Sequence, residues 1–254
     1  MFLTCAIIQA RLGSTRLPGK VLADIHGKPM IWWMLQRLYR CQTFSRIILA
    51  TTTNTEDDRL VSWMSENTDI LVFRGSENDL VDRYYSCSKS VGAETIVRIT
   101  ADDPLKDPGI VDKAVSMFKS ANYDYLSNCI EPTYPEGLDV EIFSFEALDR
   151  VWNKATLKSD REHLTTYMIN NAHEFKLGNF TYNRDLSSWR WTVDKQSDLD
   201  LMRKIFGEFK STPEVNFEKV IAFLERHPEL VLLNQGTVRM EGYKKSLQLE
   251  QKND

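Results

Sequence analysis

Phe2-Leu3-Thr4-Cys5-Ala6-Ile7-Ile8-Gln9-Ala10 runs directly into Arg11-Leu12-Gly13-Ser14-Thr15-Arg16-Leu17-Pro18-Gly19-Lys20, and the character of the chain changes at that junction. The first run is apolar and β-prone, as a strand buried on both faces must be. The ten residues after it hold three cations, two glycines, one proline and two hydroxyl side chains. A buried strand ending in such a loop points to an open α/β sheet, where ligands bind outside the carboxyl ends of the strands. Cations there ask for an anionic ligand. Gly13 and Gly19 let backbone approach a phosphate, Ser14 and Thr15 can donate hydrogen bonds, and Arg11, Arg16 and Lys20 supply charge. Taken alone, the segment fits a solvated basic turn equally well.

The loop is not a P-loop. That motif needs four residues between its glycines and a hydroxyl after its lysine, whereas Gly13 and Gly19 enclose five residues and Val21 follows Lys20. A dinucleotide G-x-G-x-x-G is absent too.

Outward from the loop, short β-branched runs alternate with segments of helical period, the pattern of a mostly parallel sheet covered on both faces. Strands are expected at Leu3–Ala10, Arg46–Thr51, Ile70–Phe73 and Thr95–Thr100. Met30, Ile31, Met34, Leu35 and Leu38 give one helix its buried stripe. Thr55 with Asp58 resembles a capping box, and Asp107-Pro108 places a cap before a first-turn proline. From Tyr123 the rhythm breaks. Further strands are expected at Leu138–Phe143, Phe175–Phe180 and Trp189–Val193, with helices at Arg161–Asn171, Ser197–Phe209 and Phe217–Glu225. The expectation is one domain over residues 1–235, with residues 128–190 as an inserted region, and a polar tail over 236–254.

Composition agrees with a globular chain: 254 residues, 42% hydrophobic, 27% charged, formal charge −4. No broad basic field exists to hold nucleic acid. Cys5, Cys41, Cys87 and Cys129 show no metal-ligand or disulfide spacing and read as reduced core thiols of a cytoplasmic protein. No basic residue precedes the opening apolar run and no small-residue cleavage site follows it, so it reads as a strand and not a leader. No apolar run approaches membrane-spanning length.

A second punctuated strand end follows at Ile96-Val97-Arg98-Ile99-Thr100-Ala101-Asp102-Asp103-Pro104-Leu105. Neighbours in extended chain point to opposite sides, so one aspartate can hold a metal while the other braces the loop. Trp191-Thr192-Val193-Asp194 ends in the same way. Magnesium is held by one or two carboxylates plus substrate phosphates, which suits Asp102 with Asp194; each alone also fits a helix N-cap.

Basic loop and two strand-end aspartates, in this order, resemble the cytidylyltransferase family that includes the CMP-sialic acid and CMP-Kdo synthetases, with A-R-x-x-S-x-R-L-P-x-K as its nucleotide signature. The chain is nearest to the SpsF-type branch of spore-coat polysaccharide biosynthesis proteins, a resemblance carried further by Gly75–Tyr84, Arg98–Leu105, Tyr134–Glu141, Arg161–Thr165 and Arg190–Asp194. It implies a three-layer α/β/α, Rossmann-like nucleotide-diphospho-sugar-transferase fold with a mostly parallel, mixed sheet. It also implies a homodimer, with residues 128–190 as acceptor and dimer region, and magnesium-dependent transfer of CMP from CTP to a sugar.

By that resemblance Arg11, Ser14, Arg16 and Lys20 bind the triphosphate, with Ala10 and Gly13 at the turn nearest the nucleotide, and Asp102 and Asp194 hold the metal. Arg16, Lys20, Asp102 and Asp194 form the catalytic set. Arg83 and Arg98 assist the phosphates or form structural ion pairs. Glu136, Asp139, Glu141, Arg161 and His163 are acceptor candidates, though His163 also fits a hydrogen-bonded helix-face residue. The chain departs from its relatives at Ala101, where many carry glycine, and at Asp103, where many carry Cys, Asn or Glu. A glycosyltransferase using a nucleotide sugar, and a non-catalytic nucleotide-binding module, remain the rival readings.

Overall fold

The computed structural model describes residues 3–209 and 214–236, together with Arg239, Tyr243 and Leu247. Strand β1 (Thr4–Gln9) enters the middle of a sheet and leads into the basic loop, which closes on a 3-10 turn, Lys20–Leu22. A small hairpin, β2 (Asp24–Ile25) and β3 (Lys28–Pro29), precedes helix α1 (Met30–Leu38). Then come β4 (Arg46–Thr52), α2 (Asp58–Asn67), β5 (Leu71–Gly75), α3 (Leu80–Val91), β6 (Thr95–Thr100) and α4 (Pro108–Ala121). The second half adds β7 (Tyr125–Ser127), β8 (Glu141–Ser144), α5 (Phe145–Lys154), α6 (Lys158–Glu162), α7 (Thr166–Asn170), β9 (Leu177–Asn179), α8 (Gln196–Glu208) and α9 (Phe217–Arg226).

Among the described residues the main sheet has seven strands in the order β5-β4-β1-β6-β8-β7-β9. The pairs β5/β4, β4/β1, β1/β6 and β7/β9 are parallel, while β8 runs against both β6 and β7. This is the mixed, mostly parallel α/β architecture expected. Its alternation is visible in β1: Ala6 and Ile8 join the apolar cluster containing α1 and α4, whereas Cys5 and Ile7 join the one containing α3 and α5. Both faces are buried, hence the unbroken apolar run in the sequence.

Helix ends follow local chemistry. Asp107 accepts from Gly109 and Ile110 N–H ahead of Pro108, as expected, and its other oxygen accepts from Phe217 N–H, tying α9 to α4. The capping box expected at Thr55 and Asp58 does not form. Thr55–Asp57 is instead a 3-10 turn, and the buried Asp57 carboxylate reaches back to the N–H groups of Leu12 and Thr52.

Two segments in the second half differ from expectation. Trp189–Val193 is not a sheet strand: Trp189 O and Trp191 N–H bond Glu136, and Val193 N–H bonds Asp102 O, so its partners are loops. The single helix expected over Arg161–Asn171 is broken at His163 (φ −114°, ψ 68°) into α6 and α7. Residues 128–190 contribute β8 and β9 to the main sheet, close to the strands expected at Leu138–Phe143 and Phe175–Phe180. Cys5, Cys41, Cys87 and Cys129 are all free thiols. Within 236–254, Gly236, Arg239, Tyr243 and Leu247 are described and the other residues lie outside the described set.

No helix among the described residues is long and apolar enough to cross a membrane.

Candidate active site

The basic loop is pinned from beneath. Leu12 N–H donates to Asp57 at 2.6 Å, a bond between segments far apart in the chain, and Thr52 donates to the same carboxylate through its N–H and its hydroxyl. Gly19 takes φ +69°, a conformation that a side chain would strain, and so turns Lys20 inward.

Lys20 is 9% exposed, and its ammonium donates to Asp102 Oδ2 (2.8 Å), Asp194 Oδ1 (2.7 Å) and Val193 O (2.7 Å). Arg16 Nη2 reaches the same Asp194 oxygen at 2.6 Å. Asp102 and Asp194, distant in sequence, therefore converge on one cationic point. Burial works against the Lys20 charge, but the two carboxylates outweigh it and hold its pKa above the ordinary lysine value. Burial likewise opposes the Asp102 carboxylate, and the Lys20 ammonium overrides that, keeping its pKa below the usual aspartate value.

Asp194 is presented by a scaffold of its own. Its second oxygen accepts from Arg190, whose guanidinium also binds Glu136 and Asp198. Asp198, at the start of α8, accepts from the N–H groups of Asp194 (2.9 Å) and Lys195 (2.8 Å), and Asn234 donates to it. Gly137 takes φ +105°, and a Cβ there would come within 2.6 Å of the Thr192 nitrogen. That close approach lets the 136–138 and 190–194 segments lie together.

Asp102 and Asp103 turn to different partners, as neighbours in extended chain do. Asp103 turns away from Lys20 and accepts from Lys106 Nζ (2.8 Å) and Thr100 Oγ1 (2.6 Å). Lys106, itself 1% exposed, also binds the carbonyl of Asp139 at 2.6 Å, so this pair braces the loop. Burial pushes the Asp103 carboxyl up to about 6 despite the pull of Lys106.

Two cavities open at this carboxylate pair. The first, of about 420 Å³, is lined by the sequence-predicted Ala10, Arg11, Ser14, Arg16, Lys20, Arg83 and Arg98. Gly13 is not in the lining; its Cα faces Glu56, whose Oε2 would be 3.0 Å from an added Cβ. Arg11 pairs with Glu77 at 3.3 Å. Arg83 is 5% exposed, its Nε and Nη1 have no hydrogen-bond partner among the described residues, and burial lowers its pKa. These two nitrogens are themselves buried, so Arg83 adds positive charge beside this cavity.

The second cavity, of about 310 Å³, is lined by Glu136, Asp139, Glu141 and His163 among the predicted acceptor residues. The break between α6 and α7 brings His163, Thr165 and Thr166 to its wall. Arg161 does not line either cavity: its guanidinium is taken up by Asp79 (2.6 and 2.9 Å) and Trp152 O (2.8 Å), which ties α6 to the cap of α3. Arg98 lies opposite Glu141 in the β6/β8 register and pairs with it, while Tyr125 OH and Thr165 Oγ1 satisfy the other Glu141 oxygen. Arg98 is thus an ion-paired residue standing at the wall of both cavities.

The donor set suits a hard divalent cation. Two carboxylate oxygens, from Asp102 and Asp194, already share one positive charge, accepting hydrogen bonds from the Lys20 ammonium at 2.8 and 2.7 Å. Among the described residues no third His, Cys, Asp or Glu completes a metal cluster, so substrate oxygens and water would fill the remaining positions.

Asp57, Lys106, Arg190, Arg239 and Tyr243 were not predicted as site residues. Arg190 lies within the Arg190–Asp194 motif, and its guanidinium joins Asp194 and Asp198 nearby to Glu136, which is remote in sequence. Arg239 and Tyr243, which line the second cavity, stood in a segment whose polarity hid them.

Comparison with known proteins gives a consistent picture. A family model described as Cytidylyltransferase matches residues 5–250. A solved cytidylyltransferase from Leptospira borgpetersenii is 31% identical, with TM-score 0.88 over 94% of this chain and 100% of that one. The spore coat polysaccharide biosynthesis protein SpsF of Bacillus subtilis is 26% identical over 232 residues, 88% of this chain and 94% of that one. The 3-deoxy-manno-octulosonate cytidylyltransferase of Geobacter sulfurreducens is 36% identical over 112 residues, 44% of this chain and 43% of that one.

Proposed function

The chain belongs to the cytidylyltransferase family, and from that premise we propose that it transfers CMP from CTP to an acidic or amino sugar, with release of pyrophosphate, in the building of a cell-surface polysaccharide. The observation that carries this reading is the wall that the two cavities share. Arg16, Asp102 and Asp194 line both, so a phosphate held by the basic loop and a sugar in the second cavity would meet at the carboxylate pair.

In the reaction an acceptor hydroxyl attacks the α-phosphorus of CTP in line. The new O–P bond forms, the hydroxyl proton passes to solvent water, and the bond to the β-phosphate breaks with its electron pair leaving on pyrophosphate. Such a transfer needs positioning and charge neutralisation more than covalent help from the protein. Arg11, Arg16, Lys20 and Arg83 supply cations for the triphosphate, and Ser14 a hydroxyl. Lys20 contacts Asp102 and Asp194, and Arg16 contacts Asp194; an entering phosphate would draw both cations toward itself and free Asp102 Oδ2 and Asp194 Oδ1 for a divalent ion. When bound there, magnesium would neutralise charge on the phosphate oxygens. Glu136, Asp139, Glu141 and His163 offer hydrogen-bonding groups to the acceptor. The proposal includes a homodimer in the cytoplasm, which sedimentation at graded concentrations tests.

The functional test is pyrophosphate release from each of the four ribonucleoside triphosphates, against a panel of sugars including 3-deoxy-manno-octulosonate and amino sugars. Release only with CTP and one class of sugar is the expected result. A nucleotide sugar consumed without pyrophosphate release would overturn the proposal in favour of glycosyl transfer.

A further inference from the structure

Two residues of the C-terminal segment come back to the second cavity. Arg239 pairs with Asp139 and donates to Tyr134 O at 3.5 Å. Tyr243 sets its ring against His163, centroids 5.2 Å apart at 71°, and its hydroxyl accepts from Asn170 Nδ2 at 3.0 Å. Both side chains line the second cavity and neither lines the first.

We propose that Arg239 receives the anionic group of the acceptor sugar, with Tyr243 completing the same wall, so that the C-terminal segment carries acceptor selectivity. The inference rests on the nucleotidyl-transfer reading and assigns one of its substrates a partner. Arg16, Arg98 and Arg239 are the arginines in the described lining of this cavity, and the first two also line the nucleotide side. Arg16 binds Asp194 at the carboxylate pair, and Arg98 is taken up by Glu141 and Gln9. Arg239 therefore holds the cationic group that belongs to the acceptor side alone.

Its geometry suits that task. Asp139 and Tyr134 O orient the guanidinium but do not use up its five N–H donors. Asp139 is the carboxylate with which an incoming carboxylate or phosphate would share the guanidinium, while the other acids beside it have cations of their own. Glu141 is paired with Arg98, Glu136 with Arg190, and Asp103 with Lys106. A planar fork held in place at a cavity wall binds oxyanions with both charge and direction.

The test is calorimetric binding of 3-deoxy-manno-octulosonate and of its methyl ester to the full chain saturated with α,β-methylene CTP, which cannot release pyrophosphate. Arg239→Ala should weaken binding of the acid by about tenfold or more, Arg239→Lys should recover part of it, and the ester should change by less than about twofold. Affinity for the nucleotide analogue should stay as in the wild type. Equal losses for acid and ester, no loss for either, or no binding of the acid to the wild type would overturn the inference. Failure of the wild type to bind the nucleotide analogue would instead sink the nucleotidyl-transfer reading on which the inference rests, and the inference with it.

Discussion

Asp102 and Asp194 end loops from opposite halves of the chain, and their carboxylates close on the same Lys20 ammonium at 2.8 and 2.7 Å. The backbone reinforces the meeting: Val193 N–H donates to Asp102 O at 2.8 Å. The fold itself thus sets the two carboxylates side by side, and positioning of this kind is where phosphoryl-type catalysis draws most of its rate.

Asp102→Asn and Asp194→Asn should each lower the turnover of CTP by about a hundredfold or more, with nucleotide affinity changed far less. Single-turnover pyrophosphate release beside equilibrium CTP binding measures both quantities. A loss confined to affinity would remove the pair from the transition state.

Lys20→Ala should have opposite effects on two ligands. Removing the ammonium takes a cation from the triphosphate, so CTP binding should weaken by about tenfold or more. It also uncovers two adjacent carboxylates, so manganese should bind the nucleotide-free protein more tightly than it binds the wild type. Electron paramagnetic resonance of free manganese reads the second effect directly.

Asp103 should behave differently from its neighbour. Its folded pKa of about 6 lies above the ordinary aspartate value, so it holds its proton more firmly in the folded chain than in the unfolded one. Its contribution therefore favours the fold at low pH and is lost as pH rises through about 6. Asp103→Asn removes that component, so between pH 4 and 6 the slope of stability against pH should become more positive, by up to about 1.4 kcal/mol per pH unit. Urea unfolding at a series of pH values provides the slopes. An unchanged slope would remove Asp103 as the titrating group.

Asp57→Ala should loosen the basic loop without touching substrate. The change leaves the buried Leu12 and Thr52 N–H groups without their acceptor, a loss of about 1–3 kcal/mol each where no water replaces it. CTP affinity and melting temperature should fall together, while turnover at saturating CTP should stay near the wild-type rate.

Much of this site is legible in the sequence because strand ends advertise themselves. The apolar run through Ile8 predicts a central strand, the Arg11–Lys20 loop predicts an anion site, and Asp102 and Asp194 each close an extended segment before a helix. What the sequence hides is partnership. Trp189–Val193 has strand-like residues, yet its hydrogen bonds go to Glu136 and Asp102, so it builds the site and not the sheet. Arg161 looks as suitable for an acceptor as His163 does; Asp79 claims its guanidinium, and the break after α6 sends only His163 to the cavity. Arg190 and Lys106 join near neighbours to remote ones: Arg190 links Asp194 and Asp198 to Glu136, and Lys106 links Asp103 to Asp139 O. Periodicity and punctuation report local structure, whereas buried ion pairs between distant segments depend on the assembled fold.

The central claim is that the basic loop and the second cavity hold two substrates which react across Asp102 and Asp194. Its most direct test follows a radioactive α-phosphate from CTP, with wild type and Asp102→Asn run side by side on the acidic and amino sugar panel. The account predicts label in a CMP-sugar and an equal yield of unlabelled pyrophosphate with the wild type, and a loss of both with the variant. Label that never leaves CTP or free CMP, or a variant that transfers it as fast as the wild type, would contradict the account.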